Sequence, residues 1–254
     1  MDMAVKENLM TINFKEWLKS DEVKELQNTP VTKIFTEKFF RDPIRPIYRK
    51  PEVFYAPADG VVLYAHSVLD PDDPIVEIKG RNFSVKEALG DKNYDSPSLV
   101  IGIFMTFFSV HINRLPTDGY LVEQRSTPSI YTHGSSMLQV EEDIFAGKPL
   151  NRDTLEYLFC NERKVVTVFS PVIGERYYLI QIADKDVNAI INWADGDYLC
   201  QGDRYGQIRW GSQVDLIIPL EKDGCEFRIL VNPSDYVKAG IDPIVEIVDS
   251  SLIK

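Results

Sequence analysis

This 254-residue chain lacks most features that reveal a chemistry at sight. Its three cysteines, Cys160, Cys200 and Cys225, lie far apart and form no CxxC. That argues against a disulfide framework or a cysteine zinc site, so no metal is expected, and free thiols fit a reducing cytoplasm. Positive charge is scarce: 28 Lys and Arg face 39 Asp and Glu, a formal net charge of −11. Nucleic acid demands a basic footprint and is not expected as a partner. Anionic lipid would exert no long-range pull either. The longest apolar run, Leu99 to Val110, falls well short of the ~20 residues that cross a bilayer as a helix. The first residues, Met1 to Asn8, carry no apolar stretch of the secretory kind. Dinucleotide GxGxxG, Walker loop, HExxH and GxSxG are all missing.

What remains is an ordinary globular composition, 44% hydrophobic and 26% charged. From about 13 to 40, Trp17, Leu18, Val23, Leu26, Val31, Ile34, Phe35 and Phe39 recur at helical steps. Pro30 is expected to divide two helices and Asp42-Pro43 to end the second. Their mixed charges predict a cap on the main domain rather than a membrane-surface helix. From Val53 onward short strands take over: Gly60–His66, Pro74–Gly80, Leu99–His111, Tyr120–Gln124, Lys164–Ser170, Arg176–Ala183, Tyr198–Gln201 and Val214–Leu220. Ser84 to Leu89 predicts a short helix capped by Ser84, with Glu87 three positions on. The expected fold is α+β: a mainly antiparallel β core, sandwich- or barrel-like, with N-terminal helices. Residues 1–45 would form the helical segment and 46–254 the main domain.

The informative dipeptide is Gly211-Ser212, at the entrance to the alternating run Gln213-Val214-Asp215-Leu216. Glycine permits unusual backbone angles, and serine is a nucleophile once a base takes its proton. Attack of Ser212 on the Gly211 carbonyl would exchange the peptide for an ester. Elimination would then leave a dehydroalanine that hydrolyses to a pyruvoyl group. Such a ketone condenses with a substrate amine to a Schiff base and accepts the electrons released with CO₂, as pyridoxal phosphate does. Asp59, in Ala56-Pro57-Ala58-Asp59-Gly60, and His111, in Val110-His111-Ile112-Asn113-Arg114-Leu115-Pro116, supply an acid and an imidazole. A second pair, Gly134-Ser135, lies in a polar stretch with no alternating strand after it and is the weaker cut site.

Together these segments resemble the phosphatidylserine decarboxylase family. Phe40-Arg41-Asp42-Pro43, Ile78-Lys79-Gly80, Leu89-Gly90-Asp91, Asn161-Glu162-Arg163 and Arg209-Trp210-Gly211-Ser212 carry the likeness further. The resemblance implies cleavage into 1–211 and 212–254. It assigns Asp59 as the triad acid, His111 as an active-site acid or base, and Ser212 as the precursor of a covalent pyruvoyl cofactor. The implied reaction turns phosphatidylserine into phosphatidylethanolamine, with peripheral membrane contact and a homodimer expected. A soluble amino acid or other non-lipid amine is the alternative substrate, and a non-enzymatic scaffold the alternative role. Three departures stand out. Arg114 occupies the place of a second histidine, residues 183–190 are polar where the family is glycine-rich, and the hydrophobic N-terminal anchor is lacking.

Overall fold

A computed structural model describes residues 11–38, 40–130, 136–185, 189–209, 211–220 and 226–248. Gly134-Ser135, Phe39, Trp210 and Cys225 lie outside the described residues.

Two strands explain the architecture. Ser98–Met105 and Ser212–Pro219 are buried along nearly their whole length, on both faces. A strand of that kind needs an apolar layer above and below it. Side-chain alternation divides the residues between the layers. Leu99, Ile101, Ile103 and Met105 join Val214, Leu216 and Ile218 in one cluster with Val166, Val168 and Leu179. Val100, Phe104 and Ile217 join Tyr64, Ile180 and Ile182 in the other, beneath Val140, Tyr157 and Leu158. Each buried aliphatic side chain stabilises the fold by about 1.5–3 kcal/mol over leaving it in water.

The two strands pair at the centre of a nine-stranded antiparallel sheet. Its spatial order is Ile12–Asn13, Asp235–Val237, Gly60–Val68, Ser98–Met105, Ser212–Pro219, Glu175–Ala183, Arg163–Ser170, Gly119–Thr127 and Tyr198–Leu199. Two three-stranded sheets flank it: Ile190–Asn192 with Arg204–Ile208 and Ile112–Arg114, and Phe227–Ile229 with Pro243–Ile247 and Val53–Tyr55. Pro74–Ile78 and Arg81–Ser84 form a separate hairpin. The class is α+β and mainly antiparallel, as expected, and among the described residues no barrel closes.

Register carries one detail used below. Val62 faces Ile103 and Tyr64 faces Gly102, so a bulge falls between them. The Tyr64 ring lies over Gly102, where an added Cβ would come within 2.4 Å of Tyr64 Cζ.

Two expectations need correction. Leu99–His111 is not one strand. It ends at Met105, and Thr106–Ser109 turns, with Ser109 N–H donating to the Thr106 carbonyl at 2.8 Å. Ser109 Oγ accepts the Thr106 amide at 3.0 Å, and this local bond outcompetes the ladder. Nor is 13–40 a pair of helices. It holds Phe14–Trp17, Asp21–Gln27, Val31–Lys33 and the π turn Ile34–Lys38. Ser20 caps the second of these by accepting from Val23 N–H, which adds a break before the one at Pro30. Ser84 caps Val85–Leu89 as expected.

Candidate functional site around Gly211 and Ser212

Ser212 opens its strand between Met105 on one side and Ala183 on the other. It is fully buried, and its hydroxyl donates to Met105 Sδ at 3.3 Å. A thioether is a weak acceptor, so the hydroxyl is loosely held. Gly211 has φ +30°, and a Cβ on it would lie 2.7 Å from Asp184 Cβ. Both the angle and the space demand glycine here. The Gly211 carbonyl oxygen accepts the Asp184 amide at 2.8 Å.

That amide is aimed by neighbours. Asn161 Nδ2 donates to the Ala183 carbonyl at 2.9 Å, and the Ala183 amide donates to the Glu162 carbonyl at 3.0 Å. Glu162 Oε2 accepts from the Ala189 amide at 2.9 Å. Arg163 donates to the carbonyls of Glu87 and Leu158, both at 3.1 Å. Asn161 and Glu162 thus hold Ala183, which precedes the Asp184 amide, and Glu162 also holds Ala189.

His111 follows the Thr106–Ser109 turn. Its Nδ1 lies 3.0 Å from the Ser109 carbonyl, which can only accept, so Nδ1 carries the proton and Nε2 the lone pair. Complete burial pushes the imidazole pKa down to about 3, helped by the Arg41 charge and opposed by the Ser109 carbonyl. The ring is therefore neutral at physiological pH, and the burial that holds it neutral also weakens it as a base. Arg41 donates to the Phe108 carbonyl of the same turn.

Asp59 stands before the strand Gly60–Val68, held close because a Cβ on Gly60 would meet the Phe104 carbonyl oxygen at 2.1 Å. Its two oxygens take a bidentate bond from Arg45, at 2.6 and 2.7 Å, and Oδ1 also accepts the Ala239 amide at 2.7 Å. Arg45 further donates to the Ala239 carbonyl at 2.9 Å. Both side chains are almost wholly buried. Asp59 and Ser212 thus border the C-terminal end of Ser98–Met105, and His111 follows the turn that leaves it. The hydrogen bonds of Asp59 go to Arg45 and Ala239, and that of Ser212 goes to Met105, not to the imidazole.

A family profile described as phosphatidylserine decarboxylase matches residues 32–244, a span that contains all three of these residues. The chain belongs to the phosphatidylserine decarboxylase family. It is 32% identical over 189 residues to the phosphatidylserine decarboxylase proenzyme of Cupriavidus pinatubonensis, covering 74% of this chain and 69% of that one. The proenzyme of Cupriavidus metallidurans is 31% identical, covering 75% and 70%. That of Symbiobacterium thermophilum is 29% identical, covering 82% and 76%. The family is one of carboxy-lyases.

Within this family the position of Arg114 is informative. Arg114 donates to the Gly202 carbonyl at 2.8 Å and to Asp42 at 3.2 Å, while Asp42 also receives Arg204 at 2.8 Å. Burial lowers the Arg114 pKa from its ordinary value. The residue joins Ile112–Arg114 to the segment after Phe40, and its guanidinium is committed to that. Three participants were not singled out from sequence: the Arg45 partner of Asp59, the Asp184 amide and Glu141. Glu141, on the helix Leu138–Phe145, accepts the Phe107 amide, and burial pushes its carboxyl up to about 7, with the Asp184 charge adding to the rise. The Met137 amide before that helix donates to Asp184 at 3.0 Å. One helix thus braces both the histidine turn and the Gly211 loop. The Arg45–Asp59 pairing joins residues fourteen apart and was not legible in the sequence.

Proposed function

We propose that this protein cuts its own chain between Gly211 and Ser212 and decarboxylates phosphatidylserine to phosphatidylethanolamine. The observation that carries the reading is the Gly211 carbonyl: it precedes a buried serine, sits at a positive φ, and already accepts a backbone N–H at 2.8 Å. When Ser212 Oγ adds to that carbonyl carbon, negative charge develops on the oxygen that the Asp184 amide faces. A donor fixed in advance at the developing charge is worth more than one that must reorganise. His111, neutral with its lone pair on Nε2, is assigned the proton from Ser212. The C–N bond then breaks, the serine oxygen carries the acyl group, and the amine takes the proton. Elimination releases Gly211 as a carboxylate, and water converts the dehydroalanine at 212 to a pyruvoyl group with loss of ammonia.

Asp59 acts in this reading as a positioning residue. Through Arg45 it anchors the segment that brings Arg41 to the histidine turn. The pyruvoyl group fits the start of the serine strand, where residue 212 is buried and its backbone is held by strands on both sides. Once formed, it supplies a ketone that captures the substrate amine and an electron sink for the departing carboxylate. His111 is also assigned the return of a proton to the substrate carbon.

We place the meeting with lipid at a bilayer surface, from the cytoplasm. Phe40, Ile44 and Tyr48 are exposed along the segment that carries Arg41 and Arg45, and Ile44 is 99% exposed. Among the described residues no helix is long and apolar enough to cross a membrane. Mass spectrometry of denatured protein tests the cleavage. Two pieces are expected, the smaller one blocked at its amino terminus and labelled by a hydrazine. Carbon dioxide should be released from phosphatidylserine vesicles and not from free serine. An intact chain with no ketone would overturn the proposal, and release from serine alone would move it to a soluble amine.

A further inference from the structure

The reverse face of the serine strand carries a buried polar group of four that the reaction does not use. Gln213 and Asp215 point away from the Ser212 face, into an otherwise apolar cluster. Tyr64 Oη donates to Asp215 Oδ2 at 2.8 Å and accepts from Gln213 Nε2 at 2.7 Å. The same Nε2 gives its second proton to Asp215 Oδ1 at 2.6 Å. Tyr157 Oη donates to Gln213 Oε1. With Asp215 ionised, the two Tyr–OH protons and both Gln–NH protons each find an acceptor.

Such a group is not explained by stability. Apolar side chains of similar volume often serve as well or better in a core. What it does supply is a fixed position. A slip of one residue would send Gln213 and Asp215 to the opposite face and strand all four partners. The bulge after Val62 and the missing side chain at Gly102 make room for the Tyr64 ring that completes the set. The group grips residue 213, next to the serine.

Its importance grows when the chain is cut. Before cleavage, residue 212 is held from the front by Gly211, whose carbonyl the Asp184 amide fixes, and from behind by Gln213. Afterwards the front hold is gone. We propose that Tyr64, Tyr157, Gln213 and Asp215 form a clamp that positions the pyruvoyl-bearing terminus after self-cleavage. The clamp rests on the function proposed above. Its members are positioning residues: they sit on the far side of the sheet and act through the backbone of residue 213.

The test compares three variants for extent of cleavage, kcat and KM on phosphatidylserine vesicles. Tyr157→Phe removes the donor to Gln213 and keeps the ring; Tyr64→Phe breaks the link to Asp215. Ile217→Val, on the same face, removes one methylene and no polar atom. The two tyrosine variants should cleave completely, lose tenfold or more in kcat, and keep KM within twofold. Ile217→Val should stay within twofold in both. The clamp is overturned if kcat in the foldable tyrosine variant matches Ile217→Val, or if its cleavage is slowed as much as its turnover. A wild-type protein with neither ketone nor turnover would instead overturn the function itself, and the clamp with it.

Discussion

Asp59 and Asp215 are both buried aspartates, one on each side of the central strand Ser98–Met105, and they are held in opposite ways. Asp59 faces a full positive charge in bidentate geometry plus a backbone amide. Asp215 faces only neutral donors, Tyr64 and Gln213, and burial pushes its carboxyl up to about 7 despite them and despite the more distant Arg163. A buried charge with a partner ties distant chain segments together, here residues 45, 59 and 239. A buried carboxyl among neutral donors fixes local geometry and stays sensitive to protons.

The sharpest break in this contrast comes from the residue between the two. Ser212→Ala removes the nucleophile and should abolish cleavage altogether, while both aspartate arrangements persist; gel analysis after prolonged incubation reads it. Asp59→Asn is next. It leaves the Arg45 guanidinium buried without its counter-charge, at a cost of about 3–5 kcal/mol. Urea unfolding should register the loss, and the time course of cleavage should lengthen; unchanged stability would mean that Arg45 finds another partner.

A third prediction concerns pH. The Asp215 carboxyl has its pKa raised in the folded state, so between an unfolded value near 4 and about 7 the native protein binds the extra proton. Its contribution to stability is therefore full below pH 4, falls as pH rises, and is lost above about 7. Glu141 behaves in the same sense over the same window. The difference in unfolding free energy between wild type and Asp215→Asn should change across pH 4–7 and be flat above it. A difference that does not vary with pH would place the Asp215 carboxyl in the ordinary range. The smallest effect is expected at Met105→Leu. It exchanges a weak acceptor for a methyl of similar volume, costs under about 1.5 kcal/mol, and should leave cleavage within a few-fold of wild type.

How much of this was legible follows from distance along the chain. The central strands were readable because layers on both faces leave a continuous apolar run, as in Leu99 to Met105. The same rule misled at Thr106-Phe107-Phe108-Ser109, where an apolar run continues but a serine hydroxyl bends the chain. Ile112–Arg114 was invisible as a separate strand because its partner, Arg204–Ile208, lies far along the chain. At the site, Asp59, His111 and Ser212 were singled out from their motifs taken together and from the family resemblance. The Asp184 amide was beyond reach, because a backbone donor has no side-chain signature and its aim depends on Asn161 and Glu162.

The serine strand lies in the interior of the nine-stranded sheet, zipped to a neighbour along each edge. On the proposed maturation, that arrangement makes birth a single event. The intact polypeptide must assemble before it can sever itself, and the severed product no longer carries the tether that guided assembly. Heat-denatured mature protein should therefore fail to regain its form on cooling, whereas Ser212→Ala, which keeps its thread unbroken, should recover.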